Sequence, residues 1–391
     1  MTIHAAPRGH ASAADRPALL ELVRRLDWLL MVSVGSLLAV GLWAIAGITR
    51  YDVDGDPNYF VVRQGVFAAA GGVGFLLALF VDPRLYRRFK QPIYLGTIGL
   101  MALVVLTAGV TRGSRRWIDL GFFQFQPSEF GKLLFVLFLA AFLADRIRRV
   151  GEWGTIWRTV ALGLAPIVLV FIQPDLGTAL VYAAVLAAVL FVAGVRWLHL
   201  GVLGCFAVLA AAALTWALPA AGVQVLKPYQ TARIAAFTDP ESDPGGTSYN
   251  LNQSITAVGS GGLQGRGVDA SSQTRFDYLP EHATDFVFAS LAEQRGFVGA
   301  SSLLLLYLLL LWRGIRIISI ARDPFSAVLA GGIVFGLLFQ IFVNVGMTMG
   351  IAPITGIPLP FVSVGGSSMI ANLLAMGVLQ AIHLRSAGER A

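Results

Sequence analysis

Asp285 stands in LPEHATDFVF (279–288), where Pro280, Glu281 and His282 lead straight into an apolar run. A carboxylate at the mouth of a membrane segment is expensive and needs a reason. Two are open. Thr284 or Asp285 caps a helix by accepting its first backbone N–H groups. Alternatively, Asp285 is a general base whose proton affinity is tuned by partial burial. Glu129 and Lys132, in QPSEFGKLLF (126–135), come next. Pro127 and Glu129 read as a helix start, and the i, i+3 spacing sets both charges on one face. They form an intrahelical ion pair, or they line an interior cavity, which ionisable groups inside spans usually face. In TRGSRRWIDLGFFQF (111–125), Arg115, Arg116 and Trp117 suit a membrane interface. They are snorkelling cations in an aromatic belt, or guanidiniums for a lipid-linked phosphate.

Two further stretches constrain the backbone. GIAPITGIPLPFVSVGGSS (350–368) holds Pro353, Pro358 and Pro360 with Gly356, Gly365 and Gly366, and cannot form a regular helix. Such backbone at membrane depth is tolerated only where it is buried in protein or lines a cavity. The glycine run GSGGLQGRG (259–267) has no preceding strand, so a nucleotide loop is not indicated. Glu293 and Arg295, in AEQRG (292–296), are internal partners of the bundle or mark its outer turn.

The elements that must position these residues follow from composition. The 391 residues are 56% hydrophobic and 13% charged, against about 25% charged in soluble domains. Apolar runs long enough to cross a bilayer recur. They predict an all-α polytopic membrane protein with ten spans: 28–48, 60–81, 92–110, 127–145, 156–173, 176–194, 198–217, 286–312, 325–350 and 362–384. The fifth and sixth nearly touch at QPDLG (173–177) and form a tight hairpin. AIAG (44–47) loosely resembles a cleavage site, but the apolar stretch before it is too long for a signal peptide, so an uncleaved first helix is expected. The single cysteine, Cys205, lies in an apolar run and is expected to be buried. It excludes a disulfide framework and a Cys-based zinc site.

Arginines fall mainly in the short segments on one side of the ten spans, among them Arg24, Arg84, Arg87, Arg88, Arg148, Arg313 and Arg385. The positive-inside rule makes that side cytoplasmic, and it explains the net charge of +7 without nucleic acid. The expected organisation is a cytoplasmic tail at 1–26, a membrane domain at 27–385 and a cytoplasmic tail at 386–391. The long segment 218–285 then lies outside, built of short helices packed on the bundle. Loops of this length are uncommon unless functional or disordered.

RRWIDLGFFQFQPSEFGKL, QPDLGTAL, QSITAVGSGGLQGRG, LPEHATDF and PITGIPLPFVSVGGSS occur in this order. Together they resemble the SEDS family (shape, elongation, division and sporulation), over nearly the whole chain. LDWLL (26–30) and RIAAFTDPESDPGGTSYN lean toward its RodA branch rather than FtsW. The resemblance implies a ten-helix peptidoglycan glycosyltransferase that joins lipid II units outside the cytoplasmic membrane during cell elongation. It implies a class B penicillin-binding protein as partner. Asp285 matches the family's essential aspartate, and Glu129 and Lys132 its intramembrane pair. Asp175, Gln253 and Ser367, in three of the motifs, complete the expected substrate or cavity set. The chain departs from the pattern at Ala283, where the family usually has His, at Gln294, usually Glu, and at Val364, commonly Tyr.

The implied reaction inverts the donor sugar, because an α-linked diphosphate becomes a β-1,4 bond. One general base suffices, and Asp285 is assigned to it. The leaving diphosphate needs positive charge, from Arg115, Arg116, Lys132 or a divalent cation (Mg or Mn), and holding that cation is the alternative role for Asp285. No other cofactor is implied. Two other readings are a lipid II flippase with Glu129 and Lys132 lining the headgroup path, and a scaffold that recruits the penicillin-binding protein.

Overall fold

The computed structural model describes residues 24–107, 116–121, 123–238 and 246–387. Arg115 lies outside them. Ten apolar helices form the bundle: α1 Trp28–Ile48, α2 Tyr59–Phe80, α3 Lys90–Thr107, α4 Pro127–Ala144, α5 Trp153–Ile172, α6 Leu176–Val192, α7 Trp197–Ala220, α8 Val287–Ile320, α9 Pro324–Thr348 and α10 Gly366–Ala387. Eight are long and apolar enough to cross a membrane; α3 and α6 are apolar and shorter. The chain is an integral membrane protein of the all-α class. Shorter helices Pro228–Thr238, Thr247–Ser260 and Ser272–Arg275 fill the segment between α7 and α8, and Ile118–Asp119 pairs antiparallel with Gln124–Phe125 just before α4.

The helix starts follow local chemistry. Asp27, Asp175 and Asp323 accept the first free amides of α1, α6 and α9, which satisfies groups that lipid cannot. Pro127 and Pro324 stand in the first turns of α4 and α9, where the missing N–H costs nothing. The core runs through α4, α6, α9 and α10, whose inner faces are almost wholly buried. Interior glycines let these helices approach: a Cβ at Gly332 would meet Val136 at 2.5 Å and Val189 at 2.9 Å.

Three expectations change. The eighth span is longer than 286–312: α8 continues to Ile320, because Arg313 is drawn into the bundle by Asp27, with Nη2–Oδ2 at 2.6 Å. The tenth begins at Gly366 rather than 362, since residues 360–365 turn. Cys205 is exposed, not buried. It sits on α7, which packs so little against the bundle that none of its most apolar stretch is buried inside the protein. An apolar run distinguishes neither lipid-facing nor core positions, because both are apolar.

The glycine run is a strap across α8. Gly296 breaks the helix with φ +66°, and the freed amides of Phe297 and Val298 donate to the carbonyls of Gly262 (2.8 Å) and Leu263 (3.1 Å). In return, Arg266 N and Gly267 N donate to Glu293 and Gln294 carbonyls. A Cβ on Gly296 would lie 2.3 Å from Gly265 N. Glu293 is fully buried, and its carboxylate accepts Gln273 N, Thr274 N and the Thr274 hydroxyl at 2.7–3.0 Å. It thus docks the helix Ser272–Arg275 onto α8 and is an internal partner of the bundle. Arg295 stacks on Trp43 at 3.9 Å.

Candidate active site

The proline-rich segment 350–365 is packed backbone, and its polar groups are matched one by one. Asn344 Nδ2 donates to Ile357 O at 2.7 Å, Tyr307 Oη to Pro360 O at 2.5 Å and Gln64 Nε2 to Ser363 O at 3.0 Å. Ser363 Oγ accepts Leu359 N and donates to Thr284 O. This matching lets non-helical chain persist inside the bundle.

The same bonds hold the mouth of α8. Asn344 Nδ2 also donates to the Asp285 carbonyl at 2.9 Å, and Val364 N donates to Ala283 O. Residue 286, not 284 or 285, is the cap position of α8, and no side chain caps it. Thr284 Oγ1 instead donates to Glu281 Oε2 at 2.8 Å. The capping reading of Asp285 therefore falls, and its carboxylate is left for another use.

Asp285 is half-buried, and its carboxylate faces charged neighbours. Burial pushes its pKa up, to about 6, with the Glu281 carboxylate adding to the rise; Arg233 and Arg116 oppose it and Asp175 reinforces it. Arg233 comes from the loop helix Pro228–Thr238, and its Nη1 donates to Thr355 O at 3.0 Å. Thr355 O rests in turn on Gly177 of the α6 start, where a Cβ would come within 2.4 Å of it. Arg116 lies 3.5 Å from Asp175, which Gln126 Nε2 also approaches at 3.5 Å. The starts of α4 and α6, one loop helix, the proline-rich segment and the mouth of α8 thus converge on Asp285.

Glu129 and Lys132 lie deeper. Lys132 Nζ donates to both carboxylate oxygens of Glu129 at 2.9 Å, and Glu129 is 1% exposed. The pair lines a cavity of about 40 Å³ between α4, α6, α9 and α10, with Gln340 and Asn372, room for two or three waters. Gln340 Nε2 has no protein partner. Both readings of the pair hold together: it is an intrahelical ion pair, and it faces a cavity.

The family model described as cell cycle protein (FtsW, RodA, SpoVE) matches residues 24–387. The chain belongs to this family. It is 37% identical over 355 residues to stage V sporulation protein E of Bacillus subtilis, covering 90% of this chain and 93% of that protein. It is 36% identical over 347 residues to the peptidoglycan glycosyltransferase MrdB of Escherichia coli K12, covering 89% and 92%. A solved structure titled for a peptidoglycan synthase complex that coordinates polymerization and crosslinking superposes with TM-score 0.78 at 32% identity, over 93% of this chain and 99% of that one.

Within the FtsW/RodA/SpoVE frame the departures acquire places. His282, one position before Ala283, is buried between Asp52 (Nε2–Oδ2 3.1 Å) and Asp277 (Nδ1–Oδ1 3.2 Å), and so ties the α8 mouth to the α1–α2 loop. Gln294 donates to Gly47 O at 3.2 Å, a neutral partner that needs no carboxylate. Ser367 Oγ accepts Gln126 N at 2.9 Å and donates to Gln124 O, pinning α10 to the start of α4. Trp117 flanks Arg116, partly exposed, and Gln253 is partly exposed on the helix Thr247–Ser260. Sequence reasoning missed Arg233 and Asn344. The described residues contain no group of three His, Cys, Asp or Glu side chains placed to hold a metal.

Proposed function

We propose that the protein is a peptidoglycan glycosyltransferase of the bacterial cytoplasmic membrane that joins lipid II units into β-1,4 glycan strands with inversion. The observation that carries this reading is Asp285: a carboxylate released from capping, with a pKa near 6, beside two guanidiniums. The names of the E. coli relative and the synthase complex support it. Asp285 takes the proton of the acceptor 4-hydroxyl as that oxygen attacks C1 of the donor sugar. The C1–O bond to the diphosphate breaks, and its electron pair leaves with the diphosphate. One carboxylate serves because the displacement is direct. A pKa near the working pH is what a general base requires. Backbone fixed by Asn344 and Ser363 holds the Asp285 segment in place.

The asymmetry of arginines supports cytoplasmic termini, with the 218–285 segment and Asp285 outside. The LDWLL start supports a role in elongation. The crosslinking half of the synthase complex supports a class B penicillin-binding protein as partner.

Purified protein with its partner is expected to polymerise lipid II in detergent micelles, which have no two compartments and so give no signal from flipping. Asp285→Asn prepared identically is expected to fold, bind the partner and lose about 10²–10⁴-fold in rate. A glycan ladder of normal intensity from the variant refutes the assignment. Headgroup transfer in liposomes, with no ladder from the wild type, replaces it with transport.

A further inference from the structure

We propose that a pocket between the short helix Pro83–Arg88, the end of α4 and the start of α9 binds the phosphate group of an anionic membrane lipid, held by Arg84 and Arg88. The pocket lies at the opposite ends of α4 and α9 from Glu129 and Asn344, on the arginine-rich side. Its volume is about 430 Å³, and it is lined by Arg84, Arg87, Arg88, Asp145, Asp323 and Phe325. Small-molecule sites run to about 300–1,000 Å³. Both carboxylates of the pocket are already engaged. Asp145 Oδ1 accepts Arg87 Nε at 2.8 Å, and its Oδ2 accepts Lys90 Nζ. Asp323 caps α9, accepting Ser326 N at 3.0 Å and the Ser326 hydroxyl at 2.6 Å. Arg84 and Arg88 are exposed. Among the described residues neither guanidinium has a carboxylate partner, and the ion pairs of this corner belong to Arg87, Lys90 and Arg385.

The receptor is fixed before any ligand arrives. Asp82 Oδ1 accepts Arg84 N at 2.8 Å and so caps the short helix. Arg87 ties that helix to α4, and Arg385 of α10 donates to Val81 O at 3.0 Å. The i, i+4 spacing sets Arg84 and Arg88 on one face. Leu85 and Phe89 repeat that spacing one residue on, and they are 45% and 48% exposed. Phe80, the last residue of α2, is 65% exposed. Guanidiniums beside uncovered apolar side chains, at the ends of spans, match the two parts of a lipid: a charged headgroup and an acyl chain. A soluble phosphate uses only the first part. Guanidinium forks meet phosphate oxygens with parallel N–H donors. The positive-inside rule accounts for basic residues on this side, but not for a pocket that leaves two of them unmatched next to apolar surface.

The test uses the purified full-length protein in detergent, with phosphatidylglycerol, phosphatidylethanolamine or glycerol phosphate added at equal concentration. Native mass spectrometry reads retention, and a melting curve reads protection. Wild type is expected to retain phosphatidylglycerol and to be protected by it more than by the zwitterionic lipid, with no protection from glycerol phosphate. Arg84→Gln/Arg88→Gln is expected to lose about 30-fold in affinity for phosphatidylglycerol, about fivefold for each arginine. Arg84→Lys/Arg88→Lys is expected to regain part of this. Arg148→Gln/Arg316→Gln removes two exposed charges outside the pocket, and is expected to keep the wild-type affinity. Equal retention of the two lipids by wild type, or equal losses in the two Gln double variants, overturns the inference. Protection by glycerol phosphate equal to that by phosphatidylglycerol overturns the lipid as the source of the phosphate.

Discussion

A carboxylic acid held near pH 6 in the folded protein carries a measurable cost at neutral pH. Because the folded value of Asp285 is raised, its contribution to stability is present below the unfolded value near 4 and is lost as pH rises through about 6. Asp285→Asn is therefore expected to raise thermal stability at pH 8, on the order of 3 kcal/mol, and to leave it nearly unchanged at pH 3, below both values, with activity lost throughout. A melting curve of the variant that is lower than wild type at pH 8 contradicts the assignment. His282 runs on related logic. Burial pulls its imidazole down, but the hydrogen bond and charge of Asp52, then Asp277, outweigh this and raise it. Its contribution is full below about 6.5 and fades as pH rises through the higher folded value. His282→Gln should lower the melting temperature more at pH 6 than at pH 9, and equal losses at both would reduce His282 to packing. Asp285, Glu129 and Lys132 were legible in the sequence because a charge inside or beside an apolar run announces itself. Arg233 was not, because in a long polar loop one more arginine looks solvated. Asn344, in FVNVG, carried a weak signal as a lone amide within an apolar run.

At the scale of elements, the first turns of α4 bring Glu129 and Lys132 together through spacing alone. Removing one partner leaves a charge in a poorly hydrated cavity, at about 3–5 kcal/mol. Glu129→Gln and Lys132→Met are each expected to lower the melting temperature sharply, and the double variant to regain most of it without regaining polymerisation. Full activity in either single variant removes the pair from function. The positions of the spans were readable because ten apolar runs, with arginines mainly in the segments on one side, leave few alternatives. Their ends were less so. The start of α10 depends on how the segment 350–365 satisfies its carbonyls, and those partners, Gln64, Tyr307 and Asn344, come from three different helices. No local window holds that information.

For the whole molecule, orientation is the property that decides whether Asp285 meets lipid-linked substrate outside the cell. In a Cys205→Ala background, Gln264→Cys is expected to react with an impermeant thiol reagent in intact spheroplasts, and Arg148→Cys only after lysis. Both side chains are exposed, so reversed labelling inverts the topology. The fold class and the order of the spans were legible from hydropathy and motif order, whereas the way the loop grips the bundle was not, because backbone-to-backbone contacts leave few marks on side-chain identity. The strap across α8 is the clearest of these. Gly265 and Gly296 meet backbone to backbone, and a Cβ on either would lie 2.3 Å from main-chain atoms. In genetic terms the pair admits no size-exchange suppressor. A larger residue at one glycine cannot be rescued by a smaller one at the other, since neither has a side chain to give up.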